Sequence, residues 1–170
     1  VVARYKTSSA LDTWMLMNEP GQEPSPDPLA VERFRGYLRE KYGDIGALNK
    51  AWLTWYKDFE SIEHDPSWNR GAFAWSVPFV DWYTFWREHL TWHLNWVAER
   101  IRQEDPNHPI HVNPHALVNN LATTAFDLPR WRTFLNSLGA SIHPAWHFGI
   151  LTRDRFALGV SYVCDLIRGS

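Results

Sequence analysis

The chain has 170 residues, 45% of them apolar and 21% charged, with 17 Lys and Arg against 19 Asp and Glu. That composition supplies a core for one domain spanning residues 1–170, and it excludes a disordered tail, a fibrous repeat and a basic, phosphate-tracking surface, so nucleic acid is not an expected partner. The single Cys164 excludes an internal disulfide framework and a cysteine-rich metal cage, and no apolar run reaches the roughly 18 residues of a membrane-spanning helix, so no membrane contact is expected.

In chain order, Val1 to Lys6 reads as the tail of a helix with no initiating Met, so the chain is expected to be a piece of a longer protein. Ala10 to Pro20 is a strand candidate. Its continuous run Thr13 to Met17 has the character of a buried parallel strand, and it stops at the polar pair Asn18-Glu19. A Pro-rich loop leads to Asp27 as N-cap and Pro28 at the first helical position. Ala30, Phe34, Tyr37, Leu38 and Tyr42 then recur at helical spacing until Gly43 closes the helix. Asp44 caps a short turn carrying Ile45, Leu48 and Trp52. Between Leu53 and Trp75 periodicity is lost while aromatic residues accumulate, which predicts a long insertion serving as a lid or a subunit contact.

Ser76 caps the strongest helix signal, with Val80, Tyr83, Trp86, Leu90, Leu94, Val97 and Ile101 on one stripe, ending at Asp105-Pro106. Pro109 to Asn113 is a second strand. Asp127 caps a helix that turns Leu128, Trp131, Leu135 and Leu138 inward and stops at Gly139. Ala140 to Pro144 is a third strand, and a last helix from about Asp154 aligns Phe156, Val160, Val163 and Ile167. This alternation predicts an α/β fold with parallel strands, right-handed crossovers and its chemistry at the strand C-terminal ends. Three such units are too few to close a barrel, so a partial (β/α)₈ TIM barrel is expected.

Glu19 lies just past a buried strand, between Asn18 and Pro20. Partial desolvation there favours the protonated carboxyl that a general acid needs; an exposed loop carboxylate is the bland alternative. Three histidine pairs stand four apart: His89/His93, His111/His115 and His143/His147. Four apart on a helix permits joint metal binding, but His89-Leu90-Thr91-Trp92-His93 lacks the glutamate of the zinc-protease motif. No metal or other cofactor is expected. The chain holds 11 Trp, whose flat rings suit pyranose faces, and His115, His143 and His147 fit hydrogen bonding to sugar hydroxyls better. Trp146 can either stack on a sugar ring or pack in a core, whereas core packing is expected of Trp86, Trp92, Trp96 and Trp131.

Arg4-Tyr5-Lys6, Ala10-Leu11, Trp14 and Asn18-Glu19-Pro20, followed by Tyr37-Leu38, Lys41-Tyr42-Gly43, Ile45, Leu48-Asn49 and Ala51-Trp52, resemble the fourth-strand region of glycoside hydrolase family 42 β-galactosidases. A weaker likeness continues through Ala140 to Pro144. The resemblance implies a retaining glycosidase of the large (β/α)₈ clan, acting on a galactoside or related oligosaccharide. It implies Glu19 as acid/base and Asn18 bound to the sugar 2-hydroxyl, with Asn113, His115, His143 and Trp146 lining the pocket. On that alignment the chain covers barrel strands four to six with their helices. The attacking glutamate would follow on strand seven, and no Glu occurs after Glu104. The isolated chain is therefore expected to be inactive, and to self-associate or to pair with the missing barrel half. The resemblance also implies no zinc cluster here, because Gly21 to Pro28 holds no Cys. Two other readings stay open: a metal-dependent barrel hydrolase using strand-end histidines, and a non-catalytic carbohydrate-binding piece built on the Trp-rich loop.

Overall fold

A computed structural model describes residues 1–20, 24–69, 76–115, 117, 125–143 and 152–170, with Asn69 described by its backbone alone. It divides into two compact units, residues 1–22 with 90–170, and residues 23–89. In chain order the elements are α1 (Val2–Tyr5), β1 (Trp14–Asn18), α2 (Pro28–Tyr42), α3 (Ile45–Trp52), α4 (Val77–Glu104), β2 (Ile110–Asn113), α5 (Leu128–Trp131), β3 (Ser137–Leu138) and α6 (Phe156–Gly169).

The first unit is built on a parallel sheet of order β1-β2-β3. Parallel strands cannot be joined by a tight hairpin, so each connection crosses over and all C-terminal ends emerge on one rim. Trp14 pairs with Ile110 and Met15 with His111, but Asn18 pairs with Asn113, so β1 carries one more residue than β2 between these points. The opposite ends of β1 and β2 are fastened by a buried carboxylate. Asp105 Oδ2 accepts the Trp14 indole N–H at 2.9 Å and lies 2.7 Å from His108 Nδ1, while Oδ1 accepts the backbone N–H groups of Asn107 and His108 at 3.1 and 3.2 Å. Trp14 N–H and the Thr13 hydroxyl both donate to Pro109 O, at 2.9 and 3.0 Å. Trp131 is fully buried, and its indole donates to Thr91 Oγ1 at 2.9 Å.

The second unit packs aromatic side chains around Phe34, whose ring centroid lies 4.9 Å from Trp82, 5.2 Å from Phe85 and 5.7 Å from Trp68. The capping signals are realised here. Asp27 accepts Ala30 N–H and Asp44 accepts Ala47 N–H, each at 3.0 Å, and Gly43 takes φ +77°, a conformation that costs glycine nothing. Ser76 accepts Phe79 N–H at 3.4 Å. Asn49 fixes the start of the insertion, accepting from the Thr54 hydroxyl and Tyr56 N–H and donating to Tyr56 O. Phe59, Ile62 and Trp68 of that insertion are buried in the aromatic core, while Trp55 is 92% exposed. Asp81 is fully buried and accepts from Lys41 Nζ, from the Tyr42 hydroxyl at 2.6 Å and from the Trp52 indole at 2.8 Å. Burial, joined by that hydrogen bond and the Asp81 charge, pushes the Tyr42 phenol up to about 12.

Several expectations are corrected. β1 is not a buried strand: Met15 and Met17 are exposed, and Met15 lines an open cavity with His111 and Ser137 of the neighbouring strands, so it is a face of the sheet that lies uncovered. On α4 the expected Tyr83, Trp86, Leu90 and Leu94 are buried, but Val80, Trp92 and Trp96 are exposed, and Asp81, Trp82 and Phe85 join the inward positions. The helix after Asp127 is one turn, Leu128–Trp131, and the third strand is Ser137–Leu138 rather than Ala140 to Pro144. The cause is Asn136, which exchanges hydrogen bonds with Ile110 through both its backbone and its side chain, each at 2.9 Å, and so begins the sheet pairing early. Gly139 is accordingly not a helix stop. A Cβ there would lie 2.8 Å from the His111 ring, so the glycine permits a close approach beside the sheet.

Burial alone would raise the Asp105 carboxyl, but the hydrogen bonds from Trp14, His108 and Asn107 outweigh it and hold the group down at about 2. In the unfolded chain an aspartate titrates at about 3.9, so the folded-state value is the lower one. The stabilisation is whole above the unfolded value and is lost as pH falls through about 2. Urea midpoints of the wild type and Asp105→Asn should therefore differ at neutral pH and converge in strong acid. A gap that does not change with pH contradicts this.

Candidate active site

The C-terminal rim of the sheet gathers Asn18 at the end of β1 and Glu19 just past it, Asn113 at the end of β2 and His115 two residues on, and Ser141 from the segment after β3. The extra residue in β1 is a bulge, a device that re-aims side chains beside functional sites, and it brings Asn18 level with Asn113. Glu19 follows with φ +51°, in the left-handed region that side chains with a Cβ enter only at a cost. Its N–H donates to Asn113 O at 3.2 Å, and the next residue, Pro20, is buried. Glu19 itself is half-buried.

Asn113 ties the rim together laterally. Its Nδ2 donates to Asn18 Oδ1 and to Ser141 Oγ, both at 2.9 Å, and its Oδ1 is buried with no hydrogen-bond partner. Ser141 N–H donates to Pro114 O at 3.1 Å, and Ser141 forms a parallel bridge with His115. Gly139 N–H donates to Val112 O at 2.9 Å, which carries the pairing on from β3.

Of the residues singled out from the sequence, Asn18, Glu19, Asn113 and His115 therefore share one rim. His143 lies two residues beyond Ser141 and is exposed. Trp146 and His147 fall outside the described residues. His111 is turned to Ser137, with Nδ1 3.1 Å from its Oγ. His89 and His93 are half-buried on α4. Among the described residues no three His, Cys, Asp or Glu side chains come together as a metal site. Ser141 was missed by sequence reasoning, since a lone serine in a strand candidate carries no signal until its neighbours are known. The rim offers a carboxyl, an exposed carboxamide and an imidazole-bearing strand end, a set suited to proton transfer at a polyhydroxylated ligand.

The sequence model of glycoside hydrolase family 42, described as Beta-galactosidase, matches residues 1–169. The chain belongs to glycoside hydrolase family 42. Beta-galactosidase Pbg of Clostridium perfringens is 31% identical over 172 residues, covering 97% of this chain and 24% of that protein. A catalytic mutant of Gan42B, a GH42 beta-galactosidase from G. stearothermophilus, superposes with a TM-score of 0.68 at 29% identity, covering 97% of this chain and 25% of that one. The apo exo-carrageenase GH42 from Bacteroides ovatus gives a TM-score of 0.66 at 27% identity, over 75% of this chain and 19% of that one. This family-42 chain thus spans about a quarter of the length of the curated relatives it matches. Its parallel three-stranded sheet and helices form an α/β arrangement consistent with part of a TIM barrel.

The left-handed backbone at Glu19 gives a direct stability test. Glu19→Ala and Glu19→Gly both remove the carboxyl, but only glycine relieves the backbone, so the glycine variant should be the more stable by about 1 kcal/mol in chemical denaturation. Alanine equal to or better than glycine contradicts the assignment.

Proposed function

We propose that this family-42 chain supplies the acid/base half of a retaining glycoside hydrolase acting on a galactoside or related oligosaccharide. Glu19 is the acid/base, and Asn18 binds the sugar beside it. His115 and His143 line the same pocket. The observation that carries the reading is the position of Asn18-Glu19 at the C-terminal end of a parallel strand, beyond a bulge, with Glu19 in a left-handed backbone. Strain at a rim carboxylate is the kind of feature that functional sites retain.

In the first step the Glu19 carboxyl gives its proton to the glycosidic oxygen as a second carboxylate attacks the anomeric carbon, and the aglycone leaves as an alcohol. In the second step the Glu19 carboxylate takes a proton from water, whose oxygen attacks the same carbon and frees the sugar and the nucleophile. The two carboxyls must stand about 5 Å apart, and the described rim offers Glu19 without a second glutamate. The nucleophile then comes from residues outside this chain, with β1, β2 and β3 as barrel strands four, five and six. Exposed Met15 and Met17 on β1, and a cavity of about 660 Å³ beside β3 lined by Leu135, Leu138, Ile142 and Ile167 together with Arg132 and Arg168, support packing against further barrel elements.

The experiment is Glu19→Gln in the full-length protein, assayed on galactosides with good and poor leaving groups. Turnover of the poor leaving group should fall by about a hundredfold or more, the scale of lost general acid catalysis, with the good one much less affected. Unchanged turnover on both, with sugar binding kept, would overturn the acid/base role and favour a non-catalytic carbohydrate-binding piece.

A further inference from the structure

We infer that Ser141 and Asn113 are positioning residues that decide which end of the Asn18 carboxamide faces a ligand at Glu19. The amide nitrogen of Asn113 has two hydrogens, and both are used: one goes to Asn18 Oδ1 and one to Ser141 Oγ, each at 2.9 Å. Asn18 therefore turns its carbonyl oxygen toward Asn113, which leaves its own Nδ2 as the group free to face the exposed rim. Asn113 has no donor left for a sugar, and its Oδ1 is buried out of reach of one. Its side chain serves as a strut between strand ends rather than as a substrate-binding group.

Ser141 is the fixed end of the strut. Its N–H is held by Pro114 O at 3.1 Å and its backbone bridges His115, so the sheet fixes the Cα from which the hydroxyl reaches Asn113. The same Asn113 accepts Glu19 N–H through its backbone oxygen at 3.2 Å. One residue thus sets both the backbone of Glu19 and the side-chain polarity of Asn18. The consequence is chemical: the rim beside Glu19 presents a hydrogen-bond donor, so the bound saccharide must place a hydroxyl oxygen there as acceptor.

This inference rests on the acid/base reading of Glu19, and its test separates the two. In the full-length protein with a chromogenic galactoside, Ser141→Ala should lower kcat/KM by about three- to tenfold, the worth of one neutral hydrogen bond, and Ser141→Thr should restore most of it by keeping the hydroxyl. Asn18→Ala should cost more, and adding Ser141→Ala to it should cost nothing further, because the serine acts through the carboxamide. Losses that multiply in the double variant, an unchanged kcat/KM in Ser141→Ala, or no rescue by threonine overturn the inference. Glu19→Gln measured alongside assigns the failure. If it keeps turnover, the acid/base reading falls and takes this inference with it. If it loses turnover while Asn18 and Ser141 act independently, only the inference falls.

Discussion

The pairing of β1 with β2, broken by one extra residue between Met15 and Asn18, is the constraint on which the rim depends. Side chains alternate across a strand, so one inserted residue changes which faces the groups beyond it address. Here it lets Asn18 meet Asn113 side chain to side chain, while the backbone oxygen of Asn113 catches Glu19 N–H just as that residue turns left-handed. Without the bulge, the carboxamide that neighbours Glu19 would have no partner on β2 to set its orientation.

Such geometry needs a firm base, and the two units provide theirs in the same way. Each buries one carboxylate and surrounds it with donors: Asp105 with the Trp14 indole, His108 and two backbone N–H groups, Asp81 with the Trp52 indole, the Tyr42 hydroxyl and Lys41. A buried charge is tolerable only when it is hydrogen-bonded or paired. Asp105 lies at the N-terminal end of the sheet, which in barrels of this class is the end given to stability, while Glu19 lies at the other.

Much of the scaffold was legible because its signals are local. Asp27, Asp44, Ser76 and Asp127 each cap a helix start, and Gly43 ends one at positive φ, as residue chemistry alone requires. What stayed hidden depended on distant partners. Asn136 draws the chain into the sheet ahead of the expected strand through its bonds to Ile110, 26 residues away, and no periodicity announces that. Nothing in the local sequence marks Asp81, since its three donors come from α2 and α3. The run at Met15 and Met17 reads as buried because hydropathy reports preference, and what covers a strand is decided by its neighbours. At the rim, the place of Asn18-Glu19 just past an apolar run was legible in the sequence, and its likeness to family 42 is what motivates the role proposed for it. The contact of Ser141 was not legible, because it exists only through Asn113, 28 residues away.

The most direct measurement is a crystal structure of the full-length protein with an intact galactoside bound, using a variant that binds without turning over. The account requires the glycosidic oxygen within about 3 Å of the residue-19 side chain, with Asn18 Nδ2 donating to a hydroxyl of the same sugar. A ligand whose glycosidic oxygen lies away from residue 19, or a residue-19 side chain directed into bulk solvent apart from the rim, would contradict it.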